Sequence, residues 1–485
     1  MPDEPQRRQP GRLLRGTTGG LVIVVLLAGL AAYQFDLGPR WFDTNYPSPV
    51  SQPAEVPPPA GLELPSAAAA PVVAAPAVGG VVSSSAVRRA VARLASHKEL
   101  GRRVAVDVTR LADGTDVYGL GPERVTPAST TKLLTAAAAL EALGPDHRFT
   151  TTVVAAGHGR HLTLVGGGDP LLERRPVDSG TYPARADLDT LARATVKALA
   201  GLGRTKVRLS YDTSLFTGPS VSPDWEPSYV PDDVVSRISP LWVDEGRERA
   251  GYSARSSDPA ASAAAVFAAA LERHGVQVVG RVHQQTADPD ATELAAVESA
   301  PLAQVVARVL EVSDNEGAEV LGRHVALATD LPGSFVGATT GIRTVLAELG
   351  VDLSGAQVYD ASGLSRHNRL DVDTLLQVIG VAASEEHPEL RAVITGLPVA
   401  GFTGSLSYRF DVPITGRLGA GLGAVRAKTG TLTGVHGLAG VVTTVDGEVL
   451  GFVAVADRVK KRDTDAARAL LDRIAASLAA CTCAA

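Results

Sequence analysis

Ser129-Thr130-Thr131-Lys132 places a hydroxyl and a primary amine three residues apart. The chain holds seven Lys against 39 Arg, so a lysine here stands out against the bias. Arginine keeps its proton in a protein; lysine gives it up when buried or when another cation is near. Residues three apart on a helix share a face, which puts the amine beside the hydroxyl. A neutral amine next to a hydroxyl is a base next to a nucleophile. Two further triplets use scarce residues. Ser313-Asp314-Asn315 contains one of only three asparagines, and Lys428-Thr429-Gly430 contains another of the seven lysines. Asp and Asn also suit an ordinary inter-helix turn. Gly430 would let a ligand backbone approach a strand closely.

The elements that must position these groups are legible in outline. Pro127-Ala128-Ser129 leads into the Ala/Leu-rich "TTKLLTAAAALEAL", a helix ending before Gly144-Pro145. Ser129 is therefore expected at a helix N-terminus, where backbone N–H groups lack intrahelical partners and can receive a developing oxyanion. Upstream, "SSSAVRRAVARLASHKELG" reads as a serine-capped helix. "RRVAVDVTRLADGTDVYGLG" then reads as two strands joined at Asp113-Gly114. From about 150 to 300, short strands mix with helices, one of them bounded by Asp258-Pro259 and His274-Gly275. "VGGGDP" lacks either phosphate-loop pattern and reads as a turn. "SAPLAQVVARVLEVSDNEGAEVLGRHVAL" reads as helix, loop, helix, with Ser313 to Asn315 in the loop. Lys428 to Thr431 sit on the first of three C-terminal strands, and "DTDAARALLDRIAASLAA" is a closing helix. Elements from both chain ends suggest one antiparallel sheet covered by helices, an α+β layout.

Net charge of −6, 45% hydrophobic and 20% charged residues describe a globular chain with no basic stripe, so no nucleic-acid partner is expected. A basic head, residues 1–16, precedes an apolar run in residues 17–35. That run is short for a span. It reads as a membrane anchor or signal segment, with the N-terminus cytoplasmic and the rest extracytoplasmic in the cell envelope. Residues 36–85 form a Pro/Ala-rich spacer. Cys481 and Cys483 lie in "AACTCAA", expected to be a frayed tail in which a bridge between residues two apart would be strained. His147, His324 and His367 belong to no motif and are expected to cap, pack or face solvent. No metal and no organic cofactor is expected.

The ordered trio S-x-x-K, S-D-N and K-T-G resembles that of the serine penicillin-recognising enzymes. The chain is most similar to the class C low-molecular-mass penicillin-binding proteins, of the D-alanyl-D-alanine carboxypeptidase/endopeptidase type. The gap of about 180 residues between Lys132 and Ser313, the stretch "YDASGLSRHNRL", and "VGGGDPLL" and "SDNEGAEVL" carry that likeness over about residues 86–480. The resemblance implies a penicillin-binding-protein/β-lactamase-like domain in residues 86–150 and 300–480, interrupted by an inserted domain in 151–299. It implies hydrolysis of D-alanyl-D-alanine bonds in peptidoglycan stem peptides through an acyl-enzyme, with β-lactams as covalent inhibitors. Ser129 would be the nucleophile, Lys132 its base, and Ser313 a proton relay. Asn315 would hold Lys132 or the substrate amide. Lys428, Thr429, Gly430 and Thr431 would serve the substrate's terminal carboxylate, and the N–H groups of Ser129 and Thr431 would form the oxyanion hole. Asp360, Ser365 and Arg366 either shape the site wall or stabilise a turn. A β-lactamase is the alternative enzyme, needing a water-activating carboxylate that the sequence does not identify. A non-catalytic wall-binding scaffold is the alternative outside enzymes.

Overall fold

The computed structural model describes residues 82–483, apart from 123, 250, 252 and 411–418. The basic head, the 17–35 segment and the spacer up to residue 81 lie outside the described residues. Among the described residues no helix is long and apolar enough to cross a membrane.

Helix α1 (Ser84–Ala95) is capped by Ser83, whose hydroxyl accepts from the Ala86 N–H. It turns Val87 and Val91 inward. Strands β1 (Arg103–Arg110) and β2 (Asp116–Leu120) follow as an antiparallel pair. Helix α2 (Lys132–Leu143) has every residue from Lys132 to Leu140 buried. A helix enclosed on all sides is a core helix, and its run of four alanines, 136–139, lets neighbours approach closely.

Strands β3 (Thr150–Ala156), β4 (His161–Val165), β5 (Lys206–Asp212) and β6 (Thr292–Glu298) build a second sheet, with helices α3 (Leu188–Gly201) and α4 (Pro259–Arg273). β3 pairs antiparallel with β4 and β6, whereas β4 and β5 run parallel. The parallel step is possible because α3 supplies the crossover. This sheet has its own apolar core, around Leu162, Leu164, Leu209 and Phe267.

Helices α5 (Leu302–Val312), α6 (Asn315–Ala328), α7 (Phe335–Glu348) and α8 (Val372–Ala383) return the chain to α2, against which α6 and α7 pack. Strands β7 (Val425–Leu432), β8 (Val435–Thr443) and β9 (Val449–Asp457) and helix α9 (Thr464–Ala479) complete the molecule. β9 pairs with β1 from Arg103↔Asp457 to Arg110↔Leu450. The two chain ends thereby form one antiparallel sheet of order β7-β8-β9-β1-β2. Side chains of β9 alternate between two cores: Val453 and Val455 face α2 and α8, while Phe452 and Ala454 face α1 and α9. Each fully buried Val or Phe contributes about 1.5–3 kcal/mol, which is why both faces of these strands read as continuous apolar runs.

The C-terminal tail departs from expectation. Cys481 and Cys483 are disulfide-bonded to each other and buried in the α1/α9 core. The Ser83 N–H donates to the Cys483 carbonyl at 2.7 Å. A half-cystine packs as a small apolar group, and the tail closes the seam between α1 and α9.

Candidate active site

Ser129 sits one element earlier than expected, in a 3₁₀ turn (Ala128–Thr131) that runs directly into α2. In a 3₁₀ turn residues i and i+3 eclipse, so the Ser129 and Lys132 side chains stack more directly than on an α-helix. Two hydroxyls hold the turn. Thr130 Oγ1 donates to the Pro127 carbonyl at 2.8 Å and Thr131 Oγ1 to the Ala128 carbonyl at 2.9 Å.

Lys132 is fully buried. Its Nζ lies 3.1 Å from Ser129 Oγ, 2.8 Å from Asn315 Oδ1 and 2.7 Å from the Ser362 carbonyl oxygen. Two of those partners, both carbonyl oxygens, can only accept. A neutral amine has two N–H bonds and one lone pair, so the two carbonyls take its hydrogens and the lone pair is left facing Ser129 Oγ. When the amine is neutral, the hydroxyl proton therefore has one acceptor placed to take it. Burial pushes Lys132 down from an ordinary 10.5 to about 8, while Asp360, Asp314, Glu319 and Glu316 pull the other way.

Ser313 ends α5 in a left-handed conformation, φ +62°, and Asp314 caps α6 by accepting from the Gly317 N–H at 2.9 Å. This corner turns Ser313 toward β7 and Asn315 toward α2. Lys428 Nζ, also fully buried, donates to Ser313 Oγ at 2.8 Å and to the Thr429 carbonyl at 2.9 Å. Burial, then repulsion from Lys132, holds its amine well below the usual lysine range. Asp314 is pushed up to about 7 by burial and by Glu245 and Glu316.

The third wall is the loop after Tyr359. Asp360 accepts from Trp225 Nε1 at 2.8 Å, the Ser365 N–H at 2.6 Å, the Gly363 N–H at 3.0 Å and Asn368 Nδ2 at 2.7 Å. Asp360 and Ser365 are thus buried turn-builders. Arg366 lines the site, ion-paired with Glu226 at 3.3 Å and donating to the Thr433 carbonyl at 3.1 Å. Gly363, at φ +84°, lies so close to the nucleophile turn that a Cβ would fall 1.9 Å from the Ala128 oxygen.

Ser129, Ser313, Asn315, Thr429 and Thr431 open onto one cavity of about 750 Å³, whose far side carries Glu226, Tyr229, Leu364 and Arg366. Thr429 Oγ1 is 2.9 Å from Ser405 Oγ. Gly430 does not line this cavity. Its bare Cα faces the protein's own turn, where a Cβ would stand 2.7 Å from the Pro127 oxygen. The missing side chain thus brings β7 against Ser129. Sequence reasoning missed the Ser362 carbonyl, a backbone atom with no residue signal, and the Glu226–Tyr229 wall, which comes from the segment between the two halves of the site. His324 packs on Phe149 at 4.1 Å between ring centres, with Nε2 3.0 Å from the Gly168 oxygen.

The D-Ala-D-Ala carboxypeptidase 3 (S13) family model matches residues 87–251 and 247–478. A carboxypeptidase DacB of Mycolicibacterium smegmatis is 38% identical over 361 residues, 74% of this chain and 76% of the relative. A carboxypeptidase of Mycobacterium tuberculosis is 34% identical over 440 residues, 90% of this chain and 91% of the relative. In fold the chain is similar to penicillin binding protein 4 of Haemophilus influenzae, at a TM-score of 0.63 and 21% identity, covering 81% of this chain and 98% of that one.

Proposed function

We infer that this chain, which belongs to the D-Ala-D-Ala carboxypeptidase 3 (S13) family, is a serine D-Ala-D-Ala carboxypeptidase that also binds penicillin. In this reading Ser129 Oγ attacks the carbonyl of the penultimate D-Ala and passes its proton to neutral Lys132. The Ser129 and Thr431 amides receive the oxyanion. Ser313, held by Lys428, relays a proton to the departing amine; the C–N bond breaks, D-Ala leaves, and water later hydrolyses the ester. Lys428 supplies charge, and Thr429 and Thr431 hydrogen bonds, for the terminal carboxylate. Asn315 holds Lys132. The observation that carries this assignment is the forced direction of the Lys132 lone pair toward Ser129.

Residues 86–150 and 300–480 are read as the catalytic domain and 151–299 as the insertion, supported by the separate core of the second sheet. The substrate is a peptidoglycan stem peptide, met outside the cytoplasm, with residues 17–35 as the export or anchoring segment. Intact mass after benzylpenicillin, with D-Ala release from a stem pentapeptide, tests the whole. One penicilloyl adduct on wild type and none on Ser129→Ala is expected. Rapid turnover of penicillin would favour a β-lactamase, and neither adduct nor release would favour a scaffold.

A further inference from the structure

Lys132 owes its orientation to two carbonyl acceptors, and both trace to one face of α6. Asn315 supplies the first directly. Glu319 stands four residues on, one turn along the same face, fully buried. Its Oε1 accepts from the Ser362 N–H at 2.9 Å and from the Ala361 N–H at 3.1 Å. The carboxylate thus grips the residue whose carbonyl takes the second Lys132 hydrogen at 2.7 Å. On the far side of that carbonyl, Asp360 Oδ1 accepts the Gly363 N–H at 3.0 Å. A trans peptide points its N–H and C=O in opposite directions, so the 362–363 plane is clamped from both ends.

The sign of the electrostatics makes this placement informative. A carboxylate near Lys132 favours the ammonium, whereas the base must be neutral. Burial, then Asp360, pushes the Glu319 carboxyl itself up to about 8. Where it is ionised its charge works against the chemistry, and where it is not it gives Lys132 no charge to pair with, so its presence calls for another reason. The amides it holds supply one. We propose that Glu319 is a positioning residue: by holding the Ala361 and Ser362 amides it aims the Ser362 carbonyl at Lys132 and so fixes the direction of the amine's lone pair. This rests on the assignment of Lys132 as the base for Ser129.

Two variants separate aim from charge. Glu319→Gln keeps Oε1 and removes the charge, and its amide group can turn to the Ser362 hydroxyl, which already bonds this side chain. Glu319→Asp keeps the charge and withdraws the oxygen by one methylene. The groups facing Lys132 in both are Asp360, Asp314, Glu316 and Lys428, besides Ser129 and Asn315. The readout is the rate constant of benzylpenicillin acylation from pH 6 to 10, separated from penicillin binding by concentration dependence, with thermal melting alongside.

Glu319→Asp should lose on the order of tenfold to a hundredfold in the acylation step, and the deficit should persist at alkaline pH, where the amine is neutral in any case. Glu319→Gln should stay within a few-fold of wild type there, and its acid limb should not move to higher pH, since it removes a carboxyl that itself titrates at about 8. The reverse ranking, a Glu319→Asp deficit that vanishes at alkaline pH, or equal losses that follow melting temperature would each overturn the proposal. So would two variants as fast as wild type. A wild-type chain not acylated at Ser129 would instead sink the underlying assignment, and this one with it.

Discussion

Protonating Lys132 should switch acylation off, and the structure sets the pH at which this happens. An amine titrating at about 8 is about one-tenth neutral at pH 7, against about one part in three thousand at the ordinary 10.5. Burial therefore enlarges the base-competent fraction about 300-fold, equivalent to roughly 3 kcal/mol. The sign follows from which form acts. The neutral amine accepts the Ser129 proton, so the rate rises with pH, tenfold per unit, and levels above about 8. Lys428 lies close enough to be depressed by Lys132, so the observed limb belongs to the coupled pair. The assay is benzylpenicillin acylation by intact mass or a fluorescent penicillin from pH 5 to 10. Lys132→Arg keeps the cation but cannot release a proton; on the plateau above about pH 8 it should cost on the order of 10²–10⁴, the gap narrowing as the wild-type rate falls toward pH 5. A rate flat between pH 6 and 9, or a Lys132→Arg variant within tenfold of wild type on the plateau above about pH 8, would refute the neutral-base account.

Ser313→Gly should relieve the left-handed backbone at φ +62°, raising stability by about 1 kcal/mol in thermal melting, yet acylation should fall because the hydroxyl is gone. Ser313→Ala should lose activity without that gain. Gly430→Ala places a Cβ 2.7 Å from the Pro127 oxygen. It should cost about 1–3 kcal/mol in urea unfolding and slow acylation by pushing β7 from the Ser129 turn; a neutral outcome in both assays would contradict the close approach. Removing residues 481–485 should lower the melting temperature, since Cys483 is fully buried and its carbonyl accepts from Ser83 at 2.7 Å. An unchanged melt would mean that the tail is dispensable.

Chemistry that resides in a side chain within a few residues of its partner could be read directly. Ser129 and Lys132 need only a single turn to meet, and their spacing encodes that turn. The helices, the hairpin at Asp113-Gly114 and the three C-terminal strands follow from local periodicity and from turn residues. What the sequence left open depends on contacts between distant segments and on backbone atoms. The Ser362 carbonyl is such an atom, held through Asp360 in its own loop and through two side chains far away in the chain: Glu319 on α6, and Trp225 bridging to Asp360 from the segment before α4. Gly430 looked like room for a ligand, and only the fold shows that the chain's own turn occupies that room. The cysteine tail looked loose because a short local bridge says nothing of the seam it fills. Spacing along the chain announced a hydroxyl and an amine. Which way the lone pair of that amine points was decided by which carbonyl oxygens the folded molecule brings to it, because an amine gives its hydrogens to the nearest acceptors and keeps its lone pair for what remains.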